Sequence, residues 1–244
     1  MEVQIEPKIK KTIDNFLQQL KGRLGDNLKS LALYGSLAGG EYSSRKSDIN
    51  LLVILEKADL AALKSVSRIK RKAQFKMIEP LVFSQDYLES STDVFPIEFL
   101  DLKAQNVLLF GEDVLNSLKI DLANLRHQCE WELKSKIVRL QKFYIDSGGK
   151  EKPLGQFLLN NFSSFITVFK SILRLKDIIE SKKEKIIQSL VSEFGLKKNV
   201  FEPFLSAGRG EAKLNNPGKI FDEFYLELLK LSTCVDRLAH SCSK

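Results

Sequence analysis

Two apolar segments, residues 28–34 and 49–55, bracket a glycine-rich connection and constrain the fold of this 244-residue chain more than any other feature. The first runs into Gly35-Ser36. Eleven residues later the second is entered through Asp48-Ile49-Asn50. Segments this short and this apolar predict strands of one sheet. A strand ending in Gly-Ser offers backbone N–H groups and a hydroxyl to an oxygen-rich anion. Side chains alternate along a strand, so Asp48 and Asn50 share a face. Two oxygen-bearing side chains placed in that way suit a hard divalent cation such as magnesium.

The surrounding pattern predicts a mixed α/β unit. Ile9, Ile13, Phe16, Leu17 and Leu20 recur at helical spacing from Pro7 onward, and Gly25-Asp26-Asn27 ends that helix. A helix is expected over 58–72, extended chain over 75–83 and a short helix over 84–89. A further strand is expected over 94–102, then a short helix stopping at Gly111. Gly111-Glu112-Asp113 reads as a helix-closing glycine followed by a polar turn. Beyond about residue 115 the periodicity is helical throughout. Helices are expected over 122–145, 154–179, 182–194, 200–207 and 219–240, and the phenylalanines from Phe157 to Phe169 should be core. The expected organisation is an α/β (α+β) domain with a mixed sheet over 1–115 and an all-α helical bundle over 116–244.

Composition narrows the classes. With 43% hydrophobic and 28% charged residues, the chain is that of a folded globular protein. No run approaches the roughly 20 apolar residues that span a bilayer, and the first residues have no basic start followed by an apolar stretch. Cys129, Cys234 and Cys242 are few, odd in number and far apart. They point to reduced thiols in a cytoplasmic protein, with neither a disulfide framework nor a zinc site. The net charge of +7 favours polyanions without choosing one. Its densest source, Arg68-Ile69-Lys70-Arg71-Lys72 with Lys76 nearby, reads first as a solvated helix end. Gly208-Arg209-Gly210 reads as an ordinary turn, and His127 and His240 have no partner pattern.

The Gly35-Ser36 and Asp48-Ile49-Asn50 elements resemble the signature of the nucleotidyltransferase superfamily, the group with the DNA polymerase beta-like fold. More narrowly, the chain resembles small prokaryotic nucleotidyltransferases with a C-terminal helical domain. That pattern runs strand, Gly-Ser, short helix, then Asp-x-Asp opening the next strand, with a third carboxylate on a later strand. The resemblance implies that Gly35 and Ser36 cradle the triphosphate, with Arg45 and Lys46 as further phosphate contacts, and Arg209 as another candidate. It implies that Asp48 and Asn50 hold Mg2+, in a site that can take two ions about 3.5–4 Å apart. The expected third carboxylate is Glu98, within the candidate strand over 94–102, with Asp101 as a less favoured substitute. Asn50 departs from the pattern because it brings a carbonyl oxygen but no charge. Gly39 departs where many relatives carry Arg.

The implied reaction moves a nucleoside monophosphate from a nucleoside triphosphate to a hydroxyl acceptor, a small molecule or a protein, and releases pyrophosphate. A second reading, motivated by Asn50 and Gly39, is a catalytically degraded nucleotide-binding sensor or interaction module of the same fold. A nucleic-acid-modifying role is the weakest of the three. No membrane partner is expected, and a homodimer stays open.

Overall fold

The computed structural model describes residues 5–39, 48–208 and 214–238, which form two compact units, Met1–Ile120 and Asp121–Lys244. In the first unit a four-stranded mixed sheet is built from β1 (Leu28–Tyr34), β2 (Ile49–Leu55), β3 (Ile78–Ser84) and β4 (Asn106–Gly111). The strand order is β3-β2-β1-β4. β1 runs antiparallel to both β2 and β4, while β2 and β3 are parallel. A parallel pair needs a crossover, supplied here by α2 (Leu60–Lys70). That helix starts where the Asp59 carboxylate accepts from the Ala62 N–H at 2.8 Å, an N-cap that satisfies an otherwise orphaned donor.

One face of the sheet packs on α2 and on α1 (Pro7–Leu24). α1 opens on a proline at its first turn and buries Ile9, Ile13, Phe16 and Leu20 along one stripe. These meet Leu31, Leu33, Leu51, Val53 and Ile78. Phe16 packs edge-to-face on Phe75 with centroids 5.1 Å apart. The opposite face carries Ala32, Leu52, Ile54, Leu81 and Phe83. It is covered by Leu88 of α3 (Gln85–Ser90), Phe99 and Leu102 of α4 (Pro96–Ala104), and Val114 and Leu115 of α5 (Val114–Ser117).

Two expected elements are exchanged in kind. The strand expected over 94–102 is the helix α4, because Pro96 sits at the first helical position and Glu98 in the first turn, where an acid complements the helix dipole. The short helix expected before Gly111 is strand β4. Gly111 therefore closes no helix. It has φ +81°, and a Cβ there would lie 1.8 Å from the carbonyl oxygen of Lys29 on β1. Glycine is the residue that permits this close approach of two strands.

The second unit is helical: α6 (Leu122–Ser147), α7 (Glu151–Arg174), α8 (Lys183–Phe194), α9 (Glu202–Gly208) and α10 (Pro217–Leu238). Its core is aromatic. Phe162, Phe165 and Phe169 of α7 meet Phe201, Phe204 and Phe224, largely in edge-to-face and tilted pairs. A buried carboxylate, Glu227, is satisfied by the backbone N–H of Lys197 at 3.0 Å. Burial pushes the Cys129 thiol up to about 12, so it packs as an inert apolar group. Among the described residues, no helix is long and apolar enough to cross a membrane.

Candidate functional site

The sheet face under α3, α4 and α5 is apolar until its last row. There the register sets Tyr34 opposite Asn50 on one side and opposite Asn106 on the other, and sets Asn50 beside Glu79. Neighbouring strands lie about 4.8 Å apart, so Glu79, Asn50, Tyr34 and Asn106 form one polar row across all four strands. Asp48 lies just before β2, two residues ahead of Asn50, and is exposed. The chain is fixed at this point by the Ile49 N–H, which donates to the Met77 carbonyl at 2.7 Å.

Gly35 turns the chain away from β1 immediately after Tyr34. Its φ of +74° is left-handed, and a Cβ would come within 2.9 Å of the Asn50 amide nitrogen. Glycine thus serves both the turn and the room for Asn50. The Gly39 N–H closes one helical turn on the Gly35 carbonyl at 2.9 Å, and this single turn is what the described residues show of the expected short helix. The side chain of Leu37 anchors the turn in the core on the α1 side. The expected phosphate contacts Arg45, Lys46 and Arg209 lie outside the described residues, as do His240 and Cys242.

Asp48 is exposed just before β2 and Asn50 is at its second position, whereas Glu98 is on the exposed side of α4, not on a strand. The carboxylate beside Asn50 is Glu79, at the second position of β3 as Asn50 is at the second position of β2. Glu79 is held by Lys70, the last residue of α2, with Nζ 2.6 Å from Oε1. The same ammonium donates to the Lys76 carbonyl at 3.1 Å. So one member of the basic segment faces the site, while Arg68, Arg71, Lys72 and Lys76 are exposed. Burial pushes the Tyr34 phenol above its ordinary range, and the Glu79 charge adds to the effect. Asn106 is committed elsewhere: its amide donates to the Leu102 and Lys103 carbonyls at 3.0 and 3.1 Å and closes the end of α4.

Asp48, Asn50 and Glu79 are oxygen donors of the kind a hard cation requires. Two are carboxylates and one is an amide, and one carboxylate already faces an ammonium. Among the described residues, no three of His, Cys, Asp and Glu gather as a metal-holding group.

No family model matches the chain, and no curated protein matches it in sequence. Solved structures do match. Spectinomycin adenyltransferase AAD(9) from Enterococcus faecialis, determined with ATP and spectinomycin, superposes with a TM-score of 0.51 at 15% identity. The match covers 90% of this chain and 98% of that one. A Sulfolobus solfataricus protein assigned as a nucleotidyltransferase matches 45% of this chain and 92% of its own, at 18% identity and a TM-score of 0.29. The chain has a nucleotidyltransferase-type fold: a mixed α/β sheet unit followed by a helical unit.

Proposed function

We propose that the α/β unit is a nucleotidyl-transfer centre, moving a nucleoside monophosphate from a nucleoside triphosphate to a hydroxyl acceptor. The observation that carries this reading is the polar row at the end of an otherwise apolar sheet face, with Asn50 against the Gly35 turn and Glu79 beside Asn50 in this fold. The acceptor oxygen forms a bond to the α-phosphorus. The bond from that phosphorus to the β-phosphate bridge breaks, and pyrophosphate leaves with the displaced electron pair. Glu79 replaces Glu98 as the carboxylate that takes the acceptor proton, because geometry comes first in assigning a base. Asp48 and the Asn50 carbonyl are the residues that would hold Mg2+, and the ion would supply charge neutralisation on the phosphates. Gly35 and Ser36 receive the triphosphate, with Arg45 and Lys46 as its outer contacts. The solved relative with ATP and spectinomycin supports ATP as donor and a small-molecule acceptor.

Incubation with α-labelled triphosphates, magnesium and a library of hydroxyl compounds should place label on an acceptor and release pyrophosphate, and Asp48→Ala should abolish both. Absence of triphosphate binding by calorimetry would sink the reading. The rival role as a nucleotide sensor is favoured by Asn50. It expects binding without pyrophosphate release, and Asn50→Asp would then tighten metal binding without producing turnover.

A further inference from the structure

We infer that the first unit binds a second copy of this chain head to tail: the cationic outer face of α2 on one copy receives the carboxylate-rich outer face of α3 and α4 on the next. This contact stands apart from the nucleotidyl-transfer chemistry and does not depend on it.

β3 carries the chain from the helices on one face of the sheet to those on the other, and the charge changes sign with it. Residues 60–77, which are α2 and the connection after it, hold six lysines and arginines and no carboxylate. Residues 85–101, which are α3, its connection and most of α4, hold five carboxylates and no lysine, arginine or histidine. On α2 the buried stripe Ala62, Val66 and Ile69 faces the sheet, so Lys64, Arg68 and Arg71, at i, i+4 and i+7, point outward. Asp86, Glu89 and Asp93 are exposed over the opposite face. Cations on other helices meet a carboxylate one turn away, as in Arg126–Glu130, Lys136–Glu132 and Lys198–Glu202. Among the described residues, Lys64, Arg68 and Arg71 enter no ion pair. Their complement is elsewhere on the same chain.

Each face also offers apolar contact: Leu60 and Leu63 are exposed on the cationic side, Tyr87, Val94 and Phe95 on the other. Tyr87 is held flat against Phe83, with centroids 5.6 Å apart and 7° between the rings. A fixed aromatic plate among carboxylates suits an arginine, by charge and by stacking. Other polyanions fit the cationic face less well. Phe75 is the only aromatic residue in 60–77 and is buried, so single-stranded nucleic acid finds no base to stack on there. The apolar stripe of α2 is spent on the core, which leaves a bilayer little to take up. Because the two complementary faces lie on opposite sides of one sheet, a two-fold dimer cannot pair them. The contact is heterologous, so association continues past two copies unless the rotation closes a ring.

The test is sedimentation of the full chain, freed of nucleic acid. At about 0.02 M salt the weight-average mass should rise about twofold or more between micromolar and millimolar protein, and at about 0.5 M salt it should return to the monomer, because screening then reaches only a few ångströms. A variant carrying Arg68→Glu and Arg71→Glu should stay monomeric at low salt, as should one carrying Asp86→Lys and Glu89→Lys. Their equimolar mixture should associate again, since each reversed face then meets a reversed face and each native face a native one. All four positions are exposed, so melts should match wild type. Leu63→Ser with Tyr87→Ser, which changes no charge, should weaken association about tenfold. A wild type that stays monomeric at low salt, reversed variants that still associate alone, or a mixture that stays monomeric would overturn the inference. So would a monomeric wild type whose Arg68 and Arg71 are needed to bind a short RNA duplex or phosphatidylserine vesicles, which would give the cationic face to that partner.

Discussion

The two faces of one sheet differ in how they end. Under α1 and α2 the side chains are apolar along the strands, from Leu28 to Leu33 and from Ile49 to Leu55. Under α3, α4 and α5 the same strands are apolar only as far as Ala32, Leu52 and Leu81, and the next residues outward are Tyr34, Asn50 and Glu79. Because alternation assigns successive residues to opposite faces, a single strand such as β2 can be core on one side and carry the candidate site on the other. On the proposed reading, stability and chemistry are separated within a seven-residue segment. Substitutions on the first face should act through folding, and substitutions in the polar row through binding and turnover.

Gly111→Ala should have the largest effect on the scaffold. It forces a Cβ onto the Lys29 carbonyl at a left-handed backbone, and a loss of about 3 kcal/mol or more is expected in denaturant melts. Leu33→Ala, fully buried on the α1 face, should cost about 2–5 kcal/mol while the folded fraction keeps its nucleotide affinity. Loss of affinity beyond the unfolded fraction would break the separation of the faces. Glu79→Gln should reverse the pattern, with a stability change of about 1 kcal/mol or less. Turnover should fall about 100-fold, whereas Glu98→Gln should leave turnover unchanged. A reversed ranking would return the third carboxylate to α4.

The smallest effect lies outside the sheet. The Lys134 ammonium, with help from Arg126, lowers Glu130 on α6 from its ordinary 4.5 to about 2. A depressed carboxyl stabilises fully above its unfolded pKa. The contribution, about 1 kcal/mol or less for a partly exposed pair, is therefore lost as pH falls from 4.5 towards 2. Glu130→Gln should remove that acid slope and leave melts above pH 5.5 parallel to wild type.

How much of this was legible depended on whether the deciding contact was local. The turn at Gly35 and the strand entered at Ile49 are legible because they rest on alternation and on glycine within one short stretch. Glu79 was equally visible inside the expected extended segment, but its partner Asn50 is supplied by β2–β3 register, which no periodicity encodes. Residues 97, 99, 100 and 102 are apolar, a pattern that fits a buried strand as well as a helix. Pro96 with Glu98 two residues on was the signal for a helix start. A strand expected over 94–102 shifts the expectation for the next element as well, to a helix over the apolar run of β4 with Gly111 as its cap.

Pro80, the residue after Glu79, has a consequence beyond the site. Among the described residues β3 forms an edge of the sheet, and its pairing with β2 runs unbroken through Pro80. The proline nitrogen must therefore face outward, where it leaves a gap in the row of donors that another strand would need. The edge next to the proposed site is thus protected against strand addition. In a crowded cell the sheet would resist growth into aggregates from that side, and a partner meeting this edge would have to recognise side chains, not backbone.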